Sequence, residues 1–251
     1  APQVGFPAFG MLYPICGRKH MFFENVWQTL TKYSGMFLTG VQNTLIIAFF
    51  SVFFGVILGT LMAMARLSKI QPLKWFATAY IEFVRGTPLL VQLMFIFYGL
   101  PMIGVTFPDV PFIPNFQRFA AGIVAMSMNS CAYVAEVIRS GIQAVDVGQM
   151  EAARSLGFKK SQAMTLVILP QAIRNILPAL GNEFVTVIKE SSITSVIAIA
   201  DLMYQTDRVK SKNYMVLECL FIAAALYFVM TFIGGRLIAL MERRMSRGRK
   251  K

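Results

Sequence analysis

Between Lys32 and Arg66 the chain carries no charged residue for 33 positions. This stretch limits the fold more than any other feature. A bilayer core about 30 Å thick is crossed by roughly 20 mostly apolar helical residues. Three more charge-free stretches follow: 23 positions between Arg85 and Asp109, 17 between Arg118 and Glu136, and 17 between Glu218 and Arg236. In lipid every backbone N–H and C=O must be bonded inside the protein, which leaves only helices or closed barrels. These runs are too long for barrel strands. Composition points the same way: 56% of residues are hydrophobic and 14% charged, against about 25% charged in soluble domains. The expectation is an all-α integral membrane domain over residues 21–245. Its five transmembrane helices fall at about 37–65, 75–100, 119–138, 162–189 and 215–241. An amphipathic helix at 21–35 precedes them, with Phe22, Phe23, Val26, Trp27 and Leu30 near one face.

The flanks are read by charge. Residues 1–20 form a mobile leader in which Arg18 and Lys19 follow the apolar residues, the reverse of a signal peptide. Residues 246–251 are a basic cytoplasmic tail. The net charge of +12 does not imply nucleic acid, because Arg243, Arg244, Arg247, Arg249, Lys250 and Lys251 all follow the last span. Cations there mark a cytoplasmic end near anionic lipid. Counting cations puts the 66–74 and 139–160 connections inside with the tail, and 101–116 outside with the N-terminus. Arg208, Lys210 and Lys212 break that pattern on the outer side. Cys16, Cys131, Cys219 and His20 share no metal-ligand spacing. With a single histidine, the clustered groups of a membrane enzyme are absent from the sequence.

Polar residues inside spans are costly and need a reason. Glu82 and Arg85 stand three apart on one helix face, the spacing of a structural ion pair. Gly86 and Pro88 interrupt the helix after them, with Gln92 one turn beyond. In the third span Asn129, Tyr133 and Glu136 share a face. In the fourth, Pro178, Gly181, Asn182 and Glu183 read as a broken helix, the kind that presents dipoles to a polar solute. Interhelical hydrogen bonding explains Asn, Gln and Tyr equally well. Gly55, Gly59 and Ala63 give the first span a stripe for close helix packing.

Between spans three and four the chain leaves the membrane for "GQMEAARSLGFKKSQAMTLVILPQA". Residues 149–156 predict a helix of about two turns, closed by a left-handed Gly157. A helix that short is not stable alone in water. It fits a partner's groove or a lipid interface, and the residues alone leave both open.

"EAARSLGF" followed by "LVILPQA" resembles the EAA motif of ABC importer permeases. The segments "IEFVRGTPLLVQLMFIFYGLP", "AYVAEVIRSGIQAVDVGQ" and "LPALGNEFVTVIKESSITSVIAIADL" resemble the polar amino-acid branch of that family. The resemblance covers about residues 21–245 and implies a type I, MetI-like permease fold. It implies a second permease subunit, two cytoplasmic ATPase subunits, an extracytoplasmic solute-binding protein and an inner-membrane location. It assigns ATPase coupling to Glu151, Ala152, Ala153 and Gly157. A substrate path is expected along Gln92, Asn129, Tyr133, Asn182 and Glu183. Glu183 would suit an ammonium or a cationic side chain, a hint of a basic amino acid. The sequence has no G-x-x-x-x-G-K-[ST] phosphate loop, so ATP and Mg are expected in the partner ATPase, with no cofactor on this chain. The competing expectation is an ion-coupled carrier or channel using Glu82, Glu136 and Glu183.

Overall fold

The computed structural model describes residues 15–110 and 115–247. Most of the leader and the end of the basic tail lie outside these residues. All regular elements among the described residues are helical. Helix α1 covers Ile15–Lys32, so it begins inside the segment read as leader, and α2 covers Ser34–Leu67. Among the described residues four helices are long and apolar enough to cross a membrane, and a bent pair counted as one span makes five.

That pair is the expected second span. Helix α3, Gln71–Gly86, and the segment Leu89–Met102 meet at 109°. The cause is local. Pro88 has no N–H to give, and its ring forces Thr87 to be extended, at φ −118° and ψ 147°. The carbonyls freed at the break cannot reach water. Gln92 satisfies them, donating through Nε2 to Val84 O at 2.7 Å and Thr87 O at 3.1 Å. Beyond the break run α4, Leu89–Met94, a π-helical turn, Phe95–Gly99, and α5, Leu100–Met102.

Helix α6 covers Phe116–Gln143 and is the most enclosed span, with 61% of its apolar window buried against 33% for α2. Helices α7, Val147–Ser155, and α8, Lys160–Ala163, lie between the third and fourth spans. A second π-helical turn, Met164–Ile168, then feeds α9, Leu169–Glu190. Both π turns are followed by Leu-Pro, at Pro101 and Pro170. A proline removes one helical hydrogen bond and crowds the carbonyl four residues back, and a widened turn relieves both. Pro178 is treated differently. The break expected there does not occur, and α9 runs continuously through it. One missing bond is tolerated because α11, Val216–Arg247, packs on this stretch, with Ile238 against Gly181. The helix changes character later, at the 3-10 turn Ser191–Ile197, closed by Ala198 in the left-handed region at φ 58°. Helix α10, Leu202–Asn213, follows.

The core has three parts. Towards the start of α2, Phe37, Ile47, Met126, Ile188 and Leu202 join α2, α6, α9 and α10. Towards its end the buried side chains are Ala63, Ile81, Val84, Ala132 and Ala135, with Met62, Tyr80 and Ile138 packed against them. A third cluster, Val145, Ile168, Ala172 and Ile176, sits beneath α7. The α2–α6 contact is the most extensive helix pair. The stripe of Gly55, Gly59 and Ala63 makes it, as the sequence indicated. A Cβ on Gly59 would lie 2.7 Å from Val134 Cβ and 2.8 Å from Cys131 O, and one on Gly55 2.8 Å from Ser130 Cβ. The opposite side of α2 exposes Phe49, Phe53, Phe54 and Leu61, as lipid contact requires.

The ion pair expected between Glu82 and Arg85 is not among the ion pairs of the described residues. Each residue faces another helix. Glu82 lies 3.7 Å from Arg66, and Arg85 lies 3.8 Å from Glu136. Glu136 is the hub. It accepts from Arg66 at 2.8 Å and from Arg139 Nε at 3.0 Å. Three guanidinium groups from α2, α3 and α6 thus converge on one carboxylate that is 21% exposed.

Three outcomes check this packing. Gly59→Leu forces α2 from α6 at backbone atoms that cannot yield, and is expected to cost at least about 1–3 kcal/mol. Gly35→Ala, where a Cβ meets nothing within 4 Å, is expected to leave stability unchanged or slightly raised. Glu136→Ala leaves three arginines clustered and is expected to cost about 1–3 kcal/mol, between the limits for exposed and buried pairs. Unfolding midpoints of the purified protein in detergent measure all three.

Candidate functional site

Two sites emerge from this frame: the short helix α7 at one end of the bundle, and a row of polar side chains inside it.

Helix α7 is defined at both ends by its own sequence. Asp146 is the N-cap, its Oδ1 accepting from Gly148 N at 2.8 Å. The helix therefore begins two residues before the expected 149, because an Asx cap at Asp146 supplies the start. At the other end Gly157 N donates to Arg154 O at 3.0 Å and Phe158 N to Ala153 O at 3.2 Å. This is the Schellman arrangement, and it needs a left-handed residue where Gly157 stands, at φ 87°. A Cβ at Gly157 would meet nothing within 4 Å. The glycine is required by conformation, and no close approach within the chain accounts for it.

The two sides of α7 differ. Met150 and Ala153 turn inward onto Val145 and the π turn before α9, and Gln171 donates to Gln149 at 3.2 Å. Ala153 is 4% exposed. Glu151 and Ala152 face away from the bundle. Val147 and Leu156 flank them at 71% and 80% exposure. The four predicted coupling residues therefore divide: Ala153 seats the helix, Gly157 ends it, and Glu151 and Ala152 belong to its free face. Val147 and Leu156 were missed because two isolated apolar residues at the ends of a polar stretch give no periodic signal.

The polar row starts at the break in the second span. Asn129 Nδ2 donates to Gln92 Oε1 at 2.9 Å, while Gln92 Nε2 serves the carbonyls at the break. Adjacent residues on α6 face different neighbours, being about 100° apart. Asn129 thus links to α4, while Ser130 turns to α9 and donates to Glu183 Oε1 at 2.9 Å. About two turns of α6 present Asn129, Tyr133 and Glu136 to the α3–α4 side, as their spacing indicated. Tyr133, 38% exposed, lies beneath the Arg85 guanidinium, 5.7 Å from its ring centre. Asn182 does not join the row. It is exposed on α9, on a different side from Glu183. Ser130 is the member that sequence reasoning passed over, since a serine in a small-residue helix reads as packing. Among the described residues no group of three or more His, Cys, Asp or Glu side chains could hold a metal ion.

The arrangement offers one half-buried carboxylate, Glu183, which accepts from the Ser130 hydroxyl, and on the next side of α6 a neutral amide pair, Asn129 and Gln92. It has neither a nucleophile–base pair nor a nucleotide cradle. Such a row suits passage or transient binding of a polar solute.

Comparison with known proteins places the whole. Residues 55–247 match the family model described as "Binding-protein-dependent transport system inner membrane component". A relative from Bacillus subtilis, "Probable glutamine ABC transporter permease protein GlnM", is 40% identical over 84% of this chain and 94% of its own. The "Arginine transport system permease protein ArtQ" of the same organism is 41% identical over 78% and 88%. A solved structure, "Crystal structure of an amino acid ABC transporter with histidines", contains a chain 50% identical to this one, with TM-score 0.80 over 86% of this chain and 97% of that one. The methionine transporter MetNI, at 20% identity and TM-score 0.60, shares the fold. With the matched region spanning most of its spans and all of α7, this chain belongs to the family of binding-protein-dependent transport system inner membrane components, the multi-pass permeases of ABC importers.

Proposed function

We propose that this chain is the transmembrane permease subunit of an ATP-driven importer of a polar amino acid. The observation that carries the reading is α7: a short helix capped at both ends by its own residues, seated by Met150 and Ala153, with Val147, Glu151, Ala152 and Leu156 left facing outward. A permanent face of that kind, exposing apolar residues around one carboxylate, suits the groove of a second protein. The family supplies the partner: a cytoplasmic ATPase that binds ATP and Mg. Two permease subunits, each with one α7, would sit on two ATPase subunits. Relatives carrying glutamine and arginine in their names support an amino-acid solute. The same family match weighs against the ion-coupled carrier.

In this reading α7 lies on the cytoplasmic side with the C-terminus, and the N-terminus lies outside. ATP draws the two α7 helices together, and each moves α6 and α9, between which it is connected, as rigid bodies. Glu151 makes polar contact with the ATPase and Gly157 holds the turn. Inside the bundle Glu183, held by Ser130, is the group best placed to meet a substrate ammonium, while Tyr133 on the α3–α4 side and Asn182 on the exposed side of α9 could meet the solute only elsewhere along its path. Gln92 and Asn129 contribute by holding the break in the second span.

Two outcomes test the assignment. Gly157→Val places a β-branched residue at φ 87°, which it does not tolerate, and is expected to lower ATP-driven uptake by about tenfold or more, since small misplacements of coupled groups are costly. The permease should still reach the membrane and fold. Uptake at the wild-type rate would remove α7 from coupling. Glu183→Gln is expected to reduce uptake while leaving co-purification with the ATPase intact. If uptake and preference among the twenty amino acids are unchanged, Glu183 is structural.

A further inference from the structure

Four buried side-chain oxygens among the described residues have no hydrogen-bond partner, and three of them stand at one junction: Asp201 Oδ2 and Gln205 Oε1 on α10, and Tyr227 Oη on α11. Buried polar atoms are nearly always paired, so three orphans in one place need a common cause. The junction is where the 3-10 turn Ser191–Ile197 gives way to α10. Its backbone is held firmly. Thr44 Oγ1 accepts from Leu202 N at 3.1 Å, and Asn43 Nδ2 donates to Ala200 O at 2.8 Å. Gly40 lets α2 and α10 meet, since a Cβ there would lie 2.8 Å from Leu202 Cα. Tyr227 stands beside Thr44, Ser191 and the backbone of Met203.

Asp201 is fully buried, and only one of its two oxygens is used. Oδ1 caps α10 by accepting from Tyr204 N at 2.8 Å, which leaves Oδ2 without a donor. No ion pair of the described residues includes Asp201. The elements packed on the junction bring Thr44 from α2, Ser191 from the 3-10 turn and Tyr227 from α11, none of them charged at neutral pH. The charge that acts on Asp201 is Asp207 of α10, which has the same sign and is paired with Lys210 at 2.6 Å. Gln205, also buried, lies one turn along α10. Helical side chains lean towards the N-terminus, which turns Gln205 back to Asp201. Two buried acceptors on neighbouring turns oppose each other unless a hydrogen lies between them. Turning the Gln205 amide over would supply an N–H but leave the charge buried without a counter-ion. A buried carboxylate in that position takes up a proton instead. Burial pushes the Asp201 carboxyl up to about 7, against the backbone N–H groups of Tyr204 and Met203, which pull it down.

We infer that Asp201 is a proton-binding site: in the folded protein its carboxyl holds a proton on Oδ2 and donates it to Gln205 Oε1, closing the turn by which the fourth span passes into α10. The proton comes from solvent, and only the O–H bond forms. Neither the importer reading nor the orientation of α10 enters this assignment. An Asp in an unfolded chain loses its proton near about pH 3.9. The stabilisation from the proton is therefore complete below that pH and is lost as the pH rises to and through the folded value, where ionisation leaves a bare charge and two acceptors buried together.

Infrared spectroscopy of the full chain, purified in detergent, reads the proton directly through the C=O stretch of a protonated carboxyl. Asp201→Asn is expected to remove one such band, which the wild type shows in mild acid and loses as the pH is raised through about 7. Asn caps a helix as well as Asp does, and its amide N–H replaces the carboxyl O–H towards Gln205. The unfolding midpoint of the variant should therefore match the wild type near about pH 4 and exceed it by about 3 °C or more at about pH 8. Gln205→Met, which keeps the length and removes the acceptor, should move the loss of the band to lower pH. A wild-type spectrum with no band that Asp201→Asn removes overturns the inference. So does an Asn variant less stable than the wild type at the alkaline end, since the junction would then be using the ionised carboxylate. A sodium-dependent rise in the wild-type midpoint at fixed ionic strength, missing from the Asn variant, overturns it in favour of a bound cation. Should Asp201→Asn fail to fold, Gln205→Met decides, and carboxyl bands unmoved in pH count against the proton.

Discussion

The structure depends on how closely α2 and α6 approach. Lipid tails are as apolar as leucine, so burying apolar surface does not hold membrane helices together as it does in water. Close packing and hydrogen bonds must do so instead. Gly55 and Gly59 allow that contact by bringing the backbone of α2 against Ser130, Cys131 and Val134. Once α6 is fixed in rotation by this seam, its other sides are committed. Asn129 faces the broken second span, Ser130 faces Glu183 on α9, and Glu136 collects the arginines of α2 and α3. Rotation of α6 by one residue would lose all three links together.

A second constraint explains the irregular backbone. Inside a bilayer no freed carbonyl can turn to water. The chain nevertheless carries prolines at 88, 101, 170 and 178. At Pro88 the helix breaks and a side-chain amide serves the exposed carbonyls. Before Pro101 and Pro170 the helix widens into a π turn. At Pro178 it runs straight on. The second π turn packs against α7 and feeds α9, so an irregular turn of the fourth span stands next to the helix proposed to receive the motor's movement. Irregular turns in helices frequently occur at functional positions.

Much of this was legible beforehand. Charge-free runs marked the spans, Gly55 and Gly59 marked the seam, and Gly157 marked the end of α7, because each reflects a local rule: hydrophobic length, absence of a Cβ, or a positive φ. The errors were of one kind. Glu82 and Arg85 share a helix face, but both reach across to other helices. Pro178 looked like a break, but its neighbours hold the helix intact. The cations at 208–212 looked like a loop, yet they ride on α10, whose buried side is complementary to α2. Partner choice depends on which helices meet, and no spacing within one helix reveals that.

The sequence by itself determined that the chain is a helical membrane protein, where its spans lie, and that a short capped helix stands between the third and fourth. These follow from the bilayer's thickness and from backbone conformations that single residues impose. Only the tertiary structure decided that Gln92 is spent on the Pro88 break, that Ser130 rather than Asn129 meets Glu183, that Glu136 is a hub for three arginines, and that Val147 and Leu156 frame the free face of α7. These outcomes depend on the rotation of each helix against its neighbours, which the packing of small residues sets across the whole bundle.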